Sequence, residues 1–249
     1  MALREKGFHR AASALPRRLR HRVYDTLRPG YLDWIASIET EERAGYCLRA
    51  FDELDCLFIH VPKAAGISWC RSLFGNLAGG HLTATKYLAF YGARRFDAMF
   101  KFAVLREPVD RARSAHAFLS AGGINASDAA FRDRVLAKCA DFDDFVLNAL
   151  EDVLERQIHF VPQWRFVTDP RTDRSCLDLA VRFEEMGEAF GEVARRLGRP
   201  AALGWRNRTP VERPAVGERA LEALARIYAE DFARLGYPVP DPGAAAARG

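Results

Sequence analysis

The chain has no long apolar run. Nothing in it approaches the roughly 18–20 residues that cross a bilayer as a helix, so no transmembrane segment is expected. Its first residues lack the apolar centre of a secretory signal, and a cytoplasmic protein is anticipated. Cysteine is scarce: there are five, an odd number, scattered, with no Cys-x-x-Cys. That argues against a disulfide framework, provides no zinc spacing and suits reduced thiols. Cys56 and Cys70 sit in apolar patterns and are expected in the core. A Walker A loop, which needs Gly, four residues and then Gly-Lys-Ser/Thr, is missing, and so is any internal repeat.

What is present is an ordinary globular composition, 49% apolar over 249 residues, enough for a proper core. The net charge of +4 is unevenly placed. Residues 1–22 hold seven Lys/Arg (Arg4, Lys6, Arg10, Arg17, Arg18, Arg20, Arg22) against Glu5, a net +6 that leaves −2 for the rest. A nucleic-acid-binding domain would carry its basic stripe on the fold, so no nucleic-acid partner is expected. The segment reads as a basic N-terminal arm, either a solvated tail or a peripheral contact to an anionic surface such as the inner face of a membrane. Residues 23–237 read as a single domain, and 238–249, rich in Pro, Gly and Ala, as a disordered tail.

The stretch Cys56–Trp69 organises the chain. Cys56 to Val61 is a short apolar run without helical period, as in a buried parallel strand, and Pro62 ends it. Gly66 suits a tight turn and close approach to a ligand. From Ser68 the period turns helical, with Trp69, Leu73, Phe74 and Leu77 on one side. A strand, a glycine-bearing turn and a helix N-terminus make an anion site, because first-turn N–H groups are unpaired and sit at the positive end of the dipole. Lys63 adds a full charge at the loop entrance.

A second strand is expected over 100–105, with Arg106 at its carboxyl end, the edge where open α/β sheets bind ligands. Pro108 suits the first turn of the next helix, on which Arg111 and Ser114 share a face. Arg106 and Ser114 could then converge on one phosphate. The alternatives are an ion pair of Arg106 with Glu107 or Asp110, and Ser114 as a small helix residue.

Helical patterns are expected over Tyr24–Phe51 with breaks near Gly30 and Gly45, over Thr83–Tyr91, after Ser127 and Asp141 as caps, after Phe183, and over about 217–235. Phe166-Val167 reads as a short strand and 177–183 as a third good one.

Pro62-Lys63-x-x-Gly66-x-Ser68 after a strand resembles the 5′-phosphosulfate loop of sulfotransferases that use 3′-phosphoadenosine 5′-phosphosulfate (PAPS). It is most similar to the carbohydrate branch (uronyl 2-O or chondroitin type), where the strand often ends His-x-Pro-Lys, as His60-Val61-Pro62-Lys63 does. Arg106-x-Pro108-x-x-Arg111-x-x-Ser114 resembles the same family's 3′-phosphate site. Pro162-Gln163, Arg182-Phe183-Glu184 and Asn207-Arg208-Thr209 follow in the family's order, so the resemblance spans about residues 55–237. It implies an α/β, P-loop-like three-layer fold with a central, mostly parallel sheet flanked by helices. It also implies sulfuryl transfer from PAPS to an acceptor hydroxyl on a carbohydrate or glycoconjugate, with adenosine 3′,5′-bisphosphate as product and no metal. By the resemblance, Lys63, Ala64, Ala65, Gly66, Ile67, Ser68 and Trp69 bind the phosphosulfate and Arg106 and Ser114 the 3′-phosphate. Ala65 and Ile67 stand where hydroxyl residues are common, which shifts binding onto backbone N–H groups, Lys63 and Ser68. Glu107 stands where Asn or Asp is common.

Sulfuryl transfer needs a cation at the leaving phosphate, an anchor for the donor and a base for the acceptor. Lys63 fits the first. Histidine is the best base by its ordinary pKa. His9 and His21 lie in the arm, His60 in the strand, and His116 and His159 in later segments. His81 follows Gly79-Gly80 between the two phosphate motifs, where the uronyl branch has a Gly-His segment that supplies the base. Glu184 is the rival. Two other classes stand beside this reading, a P-loop kinase or NTPase and a non-catalytic nucleotide-binding module. Against the kinase, the lysine precedes the glycine and the second strand ends in Arg106 rather than a magnesium-binding Asp.

Overall fold

Phe100–Leu105 is a run of β-formers with every residue buried, and it forms the middle strand of a parallel sheet. The computed structural model describes residues 3–26, 30–200, 202–204 and 216–241. In chain order, helices α1 (Leu3–Ala14), α2 (Arg17–Asp25), α3 (Tyr31–Ser37) and α4 (Arg49–Glu53) precede strand β1 (Cys56–Phe58). Helices α5 (Gly66–Phe74), α6 (Ala84–Tyr91) and α7 (Ala93–Ala98) lead to β2 (Phe100–Leu105). Then come α8 (Pro108–Ser120), α9 (Ala126–Arg134), α10 (Phe142–Asn148), α11 (Leu150–Val153) and α12 (Trp164–Val167). A small hairpin, β3 (Thr168–Asp169) with β4 (Arg174–Ser175), precedes β5 (Leu179–Arg182) and α13 (Met186–Arg196). Helices α14 (Glu218–Ile227) and α15 (Ala229–Leu235) end the described chain. The chain divides into two compact units, residues 1–105 with 165–206, and 106–164 with 207–249.

The first unit is mixed α/β. Its sheet has the order β1-β2-β5, all parallel, with Phe58 opposite Phe102 and Leu105 opposite Arg182. Parallel strands end at one edge, so the chain leaves β1 and β2 on the same side. Lys101 fits a buried strand because its ammonium group donates to the Met99 and Phe96 carbonyls at 2.6 and 3.3 Å and pairs with Asp178 at 3.4 Å. Trp69 of α5 joins the core, its ring 6.0 Å from Phe58 of β1 and 5.0 Å, edge-on, from Phe190 of α13. Cys56 and Cys70 are buried there as expected, and burial pushes the Cys56 thiol up to about 12, which keeps it inert.

The basic N-terminal segment is helical and packed, unlike a solvated tail. Arg20 is 6% exposed and donates to the Leu15, Ala89 and Phe90 carbonyls at 2.8 Å each. Ala89 and Phe90 lie in the last turn of α6, whose orphan carbonyls and negative dipole end favour a cation. Gly92 leaves room for this, since a Cβ there would lie 2.4 Å from an Arg20 nitrogen. Arg17 forks onto Glu39, Arg10 donates to the Arg171 carbonyl and Lys6 meets Asp173. Four of the seven basic residues are thus engaged inside this unit.

The second unit is helical. Asp141 caps α10 as expected, accepting from the Asp144 N–H at 2.9 Å. Asn125, rather than Ser127, caps α9: its side chain accepts from the Asp128 N–H at 3.0 Å, and Ser127 lies inside the helix. The segment expected as one helix over 217–235 is broken at Tyr228, whose hydroxyl donates to the Phe160 carbonyl. In the first unit, Phe166-Val167 belongs to α12 and the strand begins one residue later. Among the described residues, helix over Tyr24–Phe51 is limited to the end of α2, to α3 and to the start of α4, with a bridge between Arg43 and Tyr46. Asn207-Arg208-Thr209 and residues 242–249 lie outside the described residues.

Candidate functional site

The loop between β1 and α5 is built from two left-handed residues, neither of them glycine. Lys63 has φ 67° and Ala65 φ 60°. Gly66, expected to supply the tight turn, is the first residue of α5 with ordinary helical backbone. Its lack of a side chain serves a different need: a Cβ at 66 would lie 1.8 Å from His60 Cδ2 and 2.1 Å from Nε2. Glycine is required because the imidazole lies directly against the loop.

A left-handed residue followed by a right-handed one turns three successive N–H groups toward a common point, a concavity that holds anions. Ala65 and Gly66 make that pair. Among the described residues, the N–H groups of Ala65, Gly66 and Ile67 meet no protein acceptor, while those of Ser68 and Trp69 turn back to the Ala65 carbonyl. Ala65 is the N-cap and has no side-chain oxygen, so α5 begins uncapped. Lys63, Ala65 and Ile67 are half-buried, and Ala64, Ser68 and Trp69 are buried. The arrangement offers converging donors and a helix dipole to an anion, with Lys63 at the entrance.

His60 and His81 lie together at the root of the loop. His60 is 4% exposed and its ring centroid is 4.3 Å from that of the half-buried His81. His81 Nδ1 lies 3.1 Å from the His60 carbonyl oxygen. A carbonyl only accepts, so the proton is assigned to Nδ1. In the neutral ring Nε2 then carries the lone pair, the form a general base requires. Gly79, just ahead of His81, is closely packed, since a Cβ there would lie 2.3 Å from the Tyr87 hydroxyl. Glu184, the rival base, is exposed in the turn after β5.

In the second unit Arg106 is 3% exposed and grips Asp110, with Nε and Nη2 each 2.6 Å from Oδ2. The ion pair weighed as its alternative role is therefore made. Glu107 caps α8, accepting from the Val109 and Asp110 N–H groups at 3.0 and 2.6 Å, so this helix start, unlike that of α5, carries its own carboxylate. Arg111 is buried and donates to the His159 and Val161 carbonyls at 2.9 and 2.8 Å, a structural use. Ser114 is half-buried on the same helix. His159 is buried 3.5 Å from Asp128, and His116 packs edge-on to Phe142, its pKa lowered by burial. His9 and His21, also lowered by burial, meet Tyr24 and the Phe90 carbonyl.

Three features escaped the sequence reading. Nothing in Pro-Lys-Ala-Ala-Gly announces left-handed alanine, and no spacing links His60 to Gly66 or Gln163 to Arg106. Among the described residues no helix is long and apolar enough to cross a membrane, and no group of three or more His, Cys, Asp or Glu forms a metal cluster. Compared with family models, characterised proteins and solved structures, the chain has no match.

Proposed function

We propose that the chain is a PAPS-dependent sulfotransferase of the carbohydrate type, on a P-loop-like three-layer fold, acting in the cytoplasm on a saccharide hydroxyl. The observation that carries the reading is the uncapped start of α5, where three N–H groups without protein acceptors follow Lys63. Such a cradle suits a phosphosulfate, which brings negative charge and many acceptor oxygens but no metal. PAPS would supply an activated sulfuryl group attached to a phosphate leaving group. Lys63 and the α5 N-terminus offset the charge that grows on that phosphate as the S–O bond breaks. His81 Nε2 takes the acceptor's proton while its oxygen bonds to sulfur, and the His60 carbonyl stabilises the imidazolium that results. Ser68 is assigned to the same loop, and Arg106 with Ser114, by the resemblance, to the 3′-phosphate.

The Arg106–Asp110 pair means that a phosphate at Arg106 would join an existing carboxylate contact. A kinase has weaker support, because β2 runs into Arg106 rather than a magnesium-binding carboxylate. The membrane contact of the basic segment also has weaker support, given that Lys6, Arg10, Arg17 and Arg20 are engaged internally.

The test is transfer of labelled sulfur from PAPS to polysaccharides and glycosides in EDTA. The parent should label at least one, and His81→Ala should lower turnover by roughly 10²–10⁴-fold, the usual worth of a positioned base. Near-parental turnover in a folded His81→Ala protein would move the base to Glu184, His60 or His159.

A further inference from the structure

We infer that Gln163 is a positioning residue for Arg106, and that Asp231 in turn holds Gln163; this rests on the reading of Arg106 as the 3′-phosphate ligand. The Gln163 side-chain amide bonds both main-chain groups of Arg106. Its Oε1 accepts from the Arg106 N–H at 3.0 Å and its Nε2 donates to the Arg106 carbonyl at 2.7 Å. One side chain thus does for Arg106 what a neighbouring strand would do, at the point where the chain has just left β2. Gln163 is fully buried. Its amide plane is fixed because both ends are used, and each end has one correct partner.

The support continues behind it. Asp231 on α15 is 0% exposed, and its two oxygens accept from the Gln163 and Trp164 N–H groups at 2.9 and 2.8 Å. Burial raises the Asp231 pKa, and Arg111 and these two N–H groups oppose that rise. Arg111 and the Tyr228 hydroxyl hold the carbonyls of residues 159–161 in the same segment. A segment bonded this densely sits in one place, and Gln163 passes that placement to the Arg106 main chain. Asp110 fixes the other end of the residue through its guanidinium. Arg106 is therefore held at backbone and side chain by different partners, which is how a rigid anion ligand is presented.

The Pro162-Gln163 pair precedes α12, so its role is invisible to local pattern. A glutamine that only filled core space would be replaceable with equal effect on every ligand. One that positions Arg106 controls the 3′-phosphate selectively.

The experiment titrates adenosine 3′,5′-bisphosphate and AMP, in EDTA, into the parent, Gln163→Ala, Gln163→Glu and Asp231→Asn, with melting curves on each. Gln163→Glu keeps an acceptor for the Arg106 N–H but sets a carboxylate oxygen against the Arg106 carbonyl. The parent should prefer the bisphosphate. Both Gln163 variants should bind it about tenfold more weakly, the worth of a well-made buried hydrogen bond, with AMP affinity unchanged within about twofold. Asp231→Asn, which keeps one of two acceptors, should fall between. Should Gln163→Ala fail to fold, Gln163→Glu and Asp231→Asn carry the test. A parent with no preference for the bisphosphate would remove the reading of Arg106 and this inference together. A parent that prefers it, with folded variants keeping the full preference or losing both ligands equally, would overturn the positioning role alone.

Discussion

The imidazole of His60 occupies the space that a side chain on residue 66 would need, with His60 Cδ2 1.8 Å from the position of a Cβ there. His60 cannot give way easily, since it is buried between Phe58 and His81. Gly66→Ala should therefore destabilise the protein by about 1–3 kcal/mol, the usual cost of overpacking, and should displace the loop. Adding His60→Ala restores the room, so the double variant should be more stable than the sum of the two single changes requires. Urea unfolding of the four proteins checks this. Simple additivity would mean that the loop moves aside without cost.

Ala65 is held left-handed at φ 60°, a conformation that costs an L-residue about 1–2 kcal/mol. Ala65→Gly removes that cost but loosens the unfolded chain by about 0.4–1 kcal/mol. The net expectation is a gain of about 0.5 kcal/mol, with anion binding at the loop retained, because the three N–H donors stay. Loss of stability in this variant would mean that the methyl group contributes packing larger than the strain.

Burial lowers the pKa values of His9, His21 and His116 below the ordinary imidazole value. Between that ordinary value, about 6.5, and the lowered native values, the unfolded chain binds more protons than the folded one. Stability from this source is present above about pH 6.5 and is lost as pH falls. Urea midpoints should drop from pH 7.5 to 5.5, and His116→Gln should reduce the drop. An identical drop in that variant would show that His116 titrates alike in both states.

The sheet was legible because its strands are short, mostly apolar runs without helical period. The strand expected over 100–105 is β2 to the residue, and β5 lies inside 177–183. β1 ends at Phe58, earlier than Val61, although the Ile59 N–H still reaches the Phe102 carbonyl at 2.9 Å. The candidate loop was legible as a type, through Pro62, Lys63 and the change of period. Its mechanism was not, since the choice of Ala65 over Gly66 for the left-handed position depends on where His60 packs. The packed N-terminus was missed for a related reason. Arg20 reads as one more solvated charge until the last turn of α6, about seventy residues away, supplies its carbonyls. Phe166-Val167 is too short to show a period, and two apolar residues fit a helical turn as well as a strand.

In the proposed reaction the α5 N-terminus and Lys63 hold a phosphate of PAPS without a metal. Calorimetric titration of adenosine 3′,5′-bisphosphate in EDTA, into the parent and Lys63→Ala, tests it most directly. Saturable one-to-one binding to the parent, which ATP with Mg²⁺ does not match, is expected. Binding to Lys63→Ala should be about 10- to 100-fold weaker, the loss of one charge-assisted contact. No binding by the folded parent, binding only of ATP with Mg²⁺, or equal affinity in the two proteins would contradict it.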